Sequence, residues 1–359
     1  MITASNAPAS GGAATLEVEE WLIGVTWPGQ RRFAFAEELA HCVAAPVRCV
    51  GGWFPRRQTR WTKPLLVWPM FAWVSLKLFA LSWRKGRRIV CWQQVHGVGL
   101  GLGWRLLELL GLRSPAAVDV LTFIITERKR RGVWRWLIAQ ALQAQVIKSV
   151  IVFNEAELAL YRTLFPVSAH KMHFVLYSAA EVPTPPVPIG DDDFYLAVGR
   201  SNRDHEFLIR AFAGFPQRRL VVLSDQHELS ASSNVEVCPN AFGPAYYARL
   251  ARCRAVVMAF HEPALAAGQL VYLQAVQYGK PVLASVSQCL DGYVIDGRTG
   301  LYFDKNAAGL TAALATAEGA SWYASAVAAC LADYPSRFGF SRLAAGYVRA
   351  IQPPGKGQT

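Results

Sequence analysis

The sequence predicts an α/β protein made of two Rossmann-like domains facing across a cleft. Three observations carry that expectation. Short apolar runs alternate with stretches of helical apolar spacing along most of the chain, the pattern of parallel strands covered on both faces. A segment with four prolines in ten residues, 181–190 (EVPTPPVPIG), divides the chain near its middle. The length, 359 residues, is more than twice a usual domain of about 150. An apolar fraction of 53% against 17% charged residues excludes a disordered polymer.

Taken in order, residues 1–16 are rich in Ala, Ser and Gly with no cation and no apolar core, and read as a loose tail rather than a secretory signal. The first domain, 17–180, opens with an apolar run at 21–25 (WLIGV), a turn holding Pro28, Gly29 and Gln30, and helical spacing over 33–43. Strand-like runs follow at 47–50, 88–94, 118–125, 149–154 and 173–177, with helices expected at 65–83, 104–110, 132–147 and 155–164. After the Pro-rich linker, the second domain, 191–335, repeats the alternation. Its strands are expected at 194–198, 220–223, 235–237, 255–260 and 281–284, and its helices at 206–212, 246–252, 268–277 and 307–317. Residues 336–359 form a C-terminal segment that can return to the first domain.

The formal net charge of +12 is confined to the first half: residues 1–180 carry 22 cations against 10 carboxylates, the remainder 15 against 15. Eleven of the 12 tryptophans lie there too, Trp322 being the exception. No helix-turn-helix, RNP or KH pattern accompanies this charge, so no nucleic-acid partner is expected. Tryptophans beside cations and long apolar runs fit a membrane interface instead. Residues 65–83 are apolar but for Ser75, Lys77 and Ser82, between Lys63 and the cluster Arg84, Lys85, Arg87 and Arg88. A spanning helix, a helix in the interface and a plain buried helix are all open readings. Pro69 and Lys77 weigh against the first, because a charge near mid-bilayer costs roughly 2.5–3.5 kcal/mol. The seven cysteines form no CxxC pair and no cluster with histidine, so neither a disulfide framework nor a structural metal is expected, and a cytoplasmic compartment fits.

Residues 267–303, AGQLVYLQAVQYGKPVLASVSQCLDGYVIDGRTGLYF, place Gly-Gln at a helix start, Gln-Ala inside it, Gly-Lys-Pro-Val entering a strand, and Asp-Gly-x-Thr-Gly before an apolar pair. Upstream, 198–204 (VGRSNRD) is a Gly-Arg segment after a strand, and Asn154-Glu155-Ala156-Glu157 with Leu160 and Tyr161 stands near the end of the first domain. In this set, over roughly residues 150–305, the chain resembles the nucleotide-binding domain of the group-1, family-4-like glycosyltransferases of the two-Rossmann (GT-B) fold. Residues 1–150 are similar to the family in strand and helix order only.

The resemblance implies transfer of a sugar, with retention, from a nucleotide-diphosphate donor to a lipid-linked or polysaccharide acceptor in envelope or exopolysaccharide synthesis. The nucleotide sugar would be a substrate, with no resident cofactor. The enzyme would sit peripherally on the inner face of the cell membrane, docked to its anionic surface through Arg56, Arg57, Arg60, Lys63 and the cluster at 84–88, with Arg128–Arg131 joining them or binding an anionic acceptor. Donor-binding positions carried over are Gly29, Gly199, Arg200, Ser201, Arg203, Asp204, Gly268, Gln269 and Gln274. The physics agrees: helix amino termini with free N–H groups suit a diphosphate, glycine admits phosphate oxygens close to the backbone, and arginines beyond a strand's carboxyl end can fork onto phosphate.

Arg200, with Arg203 second, is expected to neutralise the leaving group. His96, in the segment Gln94-Val95-His96-Gly97, either bonds the sugar or orients the acceptor, or is a satisfied histidine at a strand end. Asp119, at the start of a strand, is a candidate acid or base weaker than His96 and reads first as a turn carboxylate, and the segments around Gly279–Pro281 and Asp296–Gly300 read as turns without chemistry. The chain departs from the family at two glutamates eight positions apart, which here fall on Ala266 and Gln274; Glu262 is the substitute acid. Two other readings stay open, a nucleotide-sugar 2-epimerase of the same architecture and a non-catalytic, transferase-like binding subunit.

Overall fold

The computed structural model describes residues 18–26, 33–52, 62–179, 181–225, 229, 231–239, 241, 243–263, 265 and 267–352. The first body contains β1 (Glu20–Val25), α1 (Ala34–Cys42), β2 (Val47–Gly51), α2 (Thr62–Leu81), β3 (Arg87–Cys91), α3 (Gln94–Leu109), β4 (Ala117–Val120), α4 (Gly132–Gln143), β5 (Ile147–Val152), α5 (Glu155–Leu164) and β6 (Met172–Phe174). Its strands form one parallel sheet in the order β2-β1-β3-β4-β5-β6. The second body contains β7 (Phe194–Val198), α6 (His205–Ala213), β8 (Arg219–Ser224), β9 (Val235–Pro239), α7 (Pro244–Arg252), β10 (Ala255–Met258), α8 (Gln269–Gln277), β11 (Val282–Ser285), β12 (Gly300–Phe303) and α9 (Ala307–Glu318). This sheet is also parallel, in the order β12-β11-β10-β7-β8-β9. Strands such as β7 (FYLAV) are buried along their whole length because helices cover both faces, which is why they read as unbroken apolar runs. The α/β class with two Rossmann-like bodies is as the sequence predicts.

Several expectations need correction. Helix α3 begins at Gln94, ten residues before the apolar spacing suggested, because Gly97, Gly99, Gly101 and Gly103 hide the helical signal. Two of these glycines permit close packing: a Cβ at Gly97 would lie 2.3 Å from a Val120 methyl, and one at Gly101 2.4 Å from the carbonyl oxygen of Ala141. The spanning reading of 65–83 fails, since no described helix is long and apolar enough to cross a membrane. Instead α2 lays Met70, Val74 and Leu78 against the first body. Asp119 is no turn residue. It is fully buried within β4, where Arg88 donates to it from Nε at 2.5 Å and Tyr347 from its hydroxyl at 2.6 Å.

Tyr347 lies on the last of two C-terminal helices, α10 (Ala320–Arg337) and α11 (Phe340–Ile351). Helix α10 packs on α8 in the second body, whereas α11 buries Leu343, Ala344 and Tyr347 against Trp21, Ile23 and Phe35 of the first. The 181–190 segment is strapped to the second body. Val182 donates its amide to Gln277 Oε1 at 2.8 Å, the Tyr278 hydroxyl donates to the Pro183 carbonyl at 2.7 Å, and Lys280 Nζ to the Gly190 carbonyl at 2.5 Å. The bodies touch through segments beyond their strands' carboxyl ends. The Tyr293 hydroxyl donates to the Phe153 carbonyl (2.7 Å) and accepts from the Tyr177 amide (2.8 Å), while Asn154 donates through Nδ2 to the Gln288 carbonyl. The carboxyl edges of the two sheets therefore face one another across the cleft.

Candidate functional site

In an open parallel sheet, ligands bind beyond the carboxyl ends of the strands where the strand order reverses. In the second body that point lies between β7 and β10. The two loops that leave it, 199–204 and 259–268, hold six of the donor-binding positions expected from sequence, and they are bonded to each other. The Asp204 amide donates to the Ala259 carbonyl at 2.9 Å. Asn202, in a left-handed conformation at φ 56°, brackets Glu262: its Oδ1 accepts from the Glu262 amide and its Nδ2 donates to the Glu262 carbonyl, both at 2.7 Å.

Arg203 is the centre of this arrangement. It is only 6% exposed, donates from Nε to the Val198 carbonyl (3.2 Å) and from a terminal nitrogen to the Ser201 carbonyl (3.1 Å), and lies over the Phe260 ring at 4.9 Å. Its other terminal nitrogen would be 3.4 Å from a Cβ at Gly268. Gly268 sits at φ 96°, a conformation that favours glycine, and precedes α8 with no side chain capping the helix start. Gly199, at φ 130°, leaves room for the same guanidinium, since a Cβ there would lie 2.8 Å from Arg203 Nε. A guanidinium and an uncapped helix start, 65 positions apart in sequence, thus meet at one point.

The remaining expected positions are arranged around this pair. Arg200 is 57% exposed and pairs with Asp225 at 3.0 Å. Ser201 is exposed, and Gln269 is buried at the start of α8. Asp204 caps α6 by accepting from the Phe207 amide (3.0 Å) and pairs with Lys305 at 3.2 Å. Burial would raise its pKa, but the Phe207 amide and Lys305 outweigh that and hold it below the ordinary value. Gln274 accepts from the Tyr246 hydroxyl (2.9 Å) and donates to that of Tyr247 (3.3 Å), so α7 fixes its amide. Glu262 is half-buried on the loop that Asn202 holds. Gly29, Ala266, Arg56, Arg57 and Arg60 lie outside the described residues.

In the first body the strand order reverses between β1 and β3, and His96 lies in the first turn of α3 beyond β3. It is fully buried, with Nδ1 2.9 Å from the Ser75 hydroxyl and Nε2 3.4 Å from that of Thr26. Burial lowers its pKa to about 4, so the ring is neutral at pH 7. Two nearby groups had no sequence signal. His205 is buried and donates from Nε2 to the Gly199 carbonyl at 2.9 Å, fixing the loop below Arg203. Lys305 reaches Asp204 and the Phe260 carbonyl (2.9 Å) from beyond β12. Among the described residues no group of three or more His, Cys, Asp or Glu could hold a metal ion.

No protein-family model matches the sequence, and no curated protein does. Solved structures are similar over nearly the whole chain. HepE from Anabaena in complex with UDP-glucose matches at 13% identity over 92% of this chain and 99% of its own, with a TM-score of 0.61. Sucrose-phosphate synthase from Thermosynechococcus elongatus matches at 16% identity over 92% and 98%, with a TM-score of 0.65. WaaG, a glycosyltransferase involved in lipopolysaccharide biosynthesis, matches at 14% identity over 94% and 100%, with a TM-score of 0.55. Likeness at these identities establishes the fold, two Rossmann-like domains of the GT-B type.

Proposed function

We propose that the protein is a glycosyltransferase that moves a sugar from a nucleotide-diphosphate donor to a lipid-linked or glycan acceptor, with retention, in envelope or exopolysaccharide synthesis at the inner face of a membrane. The observation that carries this is the meeting of Arg203 with Gly268 at the strand-order reversal of the second sheet. A buried cation beside an uncapped helix start is a seat for a diphosphate. The fold agrees, since HepE was solved with UDP-glucose, and WaaG's part in lipopolysaccharide synthesis supports the acceptor class.

In this reading the bond between the sugar's anomeric carbon and the diphosphate oxygen breaks, and its electrons go to the diphosphate. The acceptor hydroxyl attacks the same face, and its proton passes to the departing phosphate. The protein then has to stabilise charge and align the acceptor. Arg203 and the first amides of α8 take the developing charge, with Gly199, Ser201 and Asp204 shaping the loop around it. Arg200 serves as an outer cation that must exchange Asp225 for phosphate. Gln269 and Gln274 line the donor side, Glu262 faces the transferred sugar, and His96, as a neutral ring, orients the opposite wall.

One observation favours a second reading. The Gln274 amide, at the position of a family carboxylate, is held by two tyrosines, which fits a subunit that binds the donor without turning it over. Thermal melting with UDP, ADP and GDP tests the common premise: a ligand at 100 times its Kd adds about 2.7 kcal/mol, and no shift with any of them refutes it. Incubation of the matching nucleotide sugar with and without a membrane lipid extract then separates transfer, which needs an acceptor, from donor binding alone and from epimerisation, which does not.

A further inference from the structure

We infer that the outward faces of α2 and α4 form a docking surface for an anionic lipid bilayer, which lies against the first body beside the cleft. The inference deepens the proposed function by naming the partner that presents the acceptor, and it rests on that reading only for its purpose.

Helix α2 is apolar on both sides. Met70, Val74 and Leu78 are buried against the first body, yet the opposite stripe leaves Trp68, Trp73 and Leu76 at 62%, 51% and 60% exposure, and Trp83 continues it just past the helix end. A helix apolar all round normally has its whole circumference covered, and within the described residues nothing covers this side. Helix α4 adds Trp134 and Trp136, at 48% and 59%. Helix α3 packs against both of them, with Gly101 close to the backbone of Ala141, and its C-terminal end adds Leu106 and Leu109 at 66% and 72% exposure to the same apolar surface. Eleven of the sixteen large apolar side chains exposed among the described residues fall between residues 68 and 136.

Charge selects the occupant. No Asp or Glu occurs between Glu38 and Glu108, and the surface is flanked by exposed Arg84 and Lys85 on one side and by Arg128, Lys129, Arg131 and Arg135 on the other. On α2 itself Lys77 folds back over the Trp73 ring, with Nζ 5.0 Å from its centroid. Tryptophan with cations in excess over one exposed acid, Glu127, which Arg131 pairs at 2.7 Å, is the composition of an interfacial surface and complements anionic headgroups. A second copy would bring the same cations face to face. Because the inner side of α2 is committed to the core and no described helix can cross a membrane, the helix lies flat. In a parallel α/β body the helices start at the carboxyl edge of the sheet, so Trp134 and Trp136 on the first turn of α4 stand on the cleft side. A lipid-linked acceptor in that bilayer would have its head group beside the donor site.

Flotation of the full chain with vesicles of phosphatidylcholine alone, or of phosphatidylcholine with phosphatidylglycerol, tests this. The protein should float with the anionic vesicles, less with the neutral ones, and less as salt rises. The pair Trp73→Ser with Leu76→Ser and, independently, Trp134→Ser with Trp136→Ser should each lower the bound fraction by about tenfold or more while melting with and without UDP stays unchanged. Absence of flotation, or flotation indifferent to both pairs, overturns the proposal. A dimer in solution that the substitutions dissolve without altering flotation would assign the face to a second copy and also overturn it. Flotation that obeys these expectations in a protein that no nucleoside diphosphate stabilises would uphold the docking face and sink the transferase reading alone.

Discussion

Replacing Arg203 by alanine should weaken nucleoside-diphosphate binding far more than replacing Arg200, although the two share one loop. Arg203 is 6% exposed, its Nε and one terminal nitrogen are committed to the Val198 and Ser201 carbonyls, and the other faces Gly268. A hydrogen bond from a charged donor in such a place is worth about 1.5–3 kcal/mol, or a factor of about 10–150 in Kd. Arg200 is 57% exposed and already paired with a 40% exposed Asp225. Exposed pairs are worth about 0–1 kcal/mol, so exchanging that partner for phosphate should change Kd by less than about tenfold. Arg203→Lys, which keeps the charge and loses the fork, should fall between the two. Calorimetric titration with UDP at fixed ionic strength, beside melting of each unliganded variant, is the assay. An Arg200→Ala loss equal to or greater than that of Arg203→Ala, in folded proteins, would refute the assignment of the leaving-group charge to Arg203.

Three further outcomes follow from the packing. Gly101→Ala should cost about 1–3 kcal/mol in urea unfolding, because its methyl meets a backbone oxygen at 2.4 Å; Gly99→Ala, whose nearest neighbour is the Ser75 hydroxyl at 3.6 Å, should be neutral or stabilising. Asp119→Asn should cost about 3–5 kcal/mol, because it strips the carboxylate from the largely buried Arg88, while Tyr347→Phe should cost about 1 kcal/mol. The His96 ring, lowered to about 4 by burial against 6.5 for a free histidine, binds its proton more readily in the unfolded chain. Its contribution is therefore complete above about pH 6.5 and is lost as pH falls towards 4, so between pH 7 and pH 5 the wild type should lose about 2 kcal/mol more than His96→Gln in urea unfolding.

What could be read from the sequence was whatever local pattern determines. Buried strands such as β7 and β1 announced themselves as apolar runs, the loop 199–204 could be singled out because glycine and arginine follow a strand end, and Gly268 because it precedes a helix. Helix α3 was misjudged because its glycines serve contacts with Val120 and Ala141, which local propensity does not register. Asp119 was misjudged because its partners, Arg88 and Tyr347, lie 31 and 228 positions away. The same limit applies in the site: the proposed precedence of Arg203 over Arg200 rests on contacts with Phe260, Gly268 and Asp225, and the bracket that Asn202 makes on Glu262 spans 60 positions. The four-residue strand β12 and the helix α10 carried too little pattern of their own, whereas α11, with Phe340, Leu343, Ala344, Tyr347, Val348 and Ile351 along one face, is legible as an amphipathic helix.

The return of α11 to the first body has a mechanical consequence. The backbone crosses between the bodies twice, once within 175–179, between Val175 in the core of the first and Ala179 in that of the second, and once between Arg337 and Phe340, where Phe338 stacks on the Tyr293 ring at an interplanar angle of 5°. Two covalent pivots define an axle: the lobes can swing about the line that joins them, while twisting or sliding would have to stretch one pivot against the other. A protease nick in the first pivot would leave the fragments clasped, because the C-terminal fragment still keeps its last helix embedded in the N-terminal one.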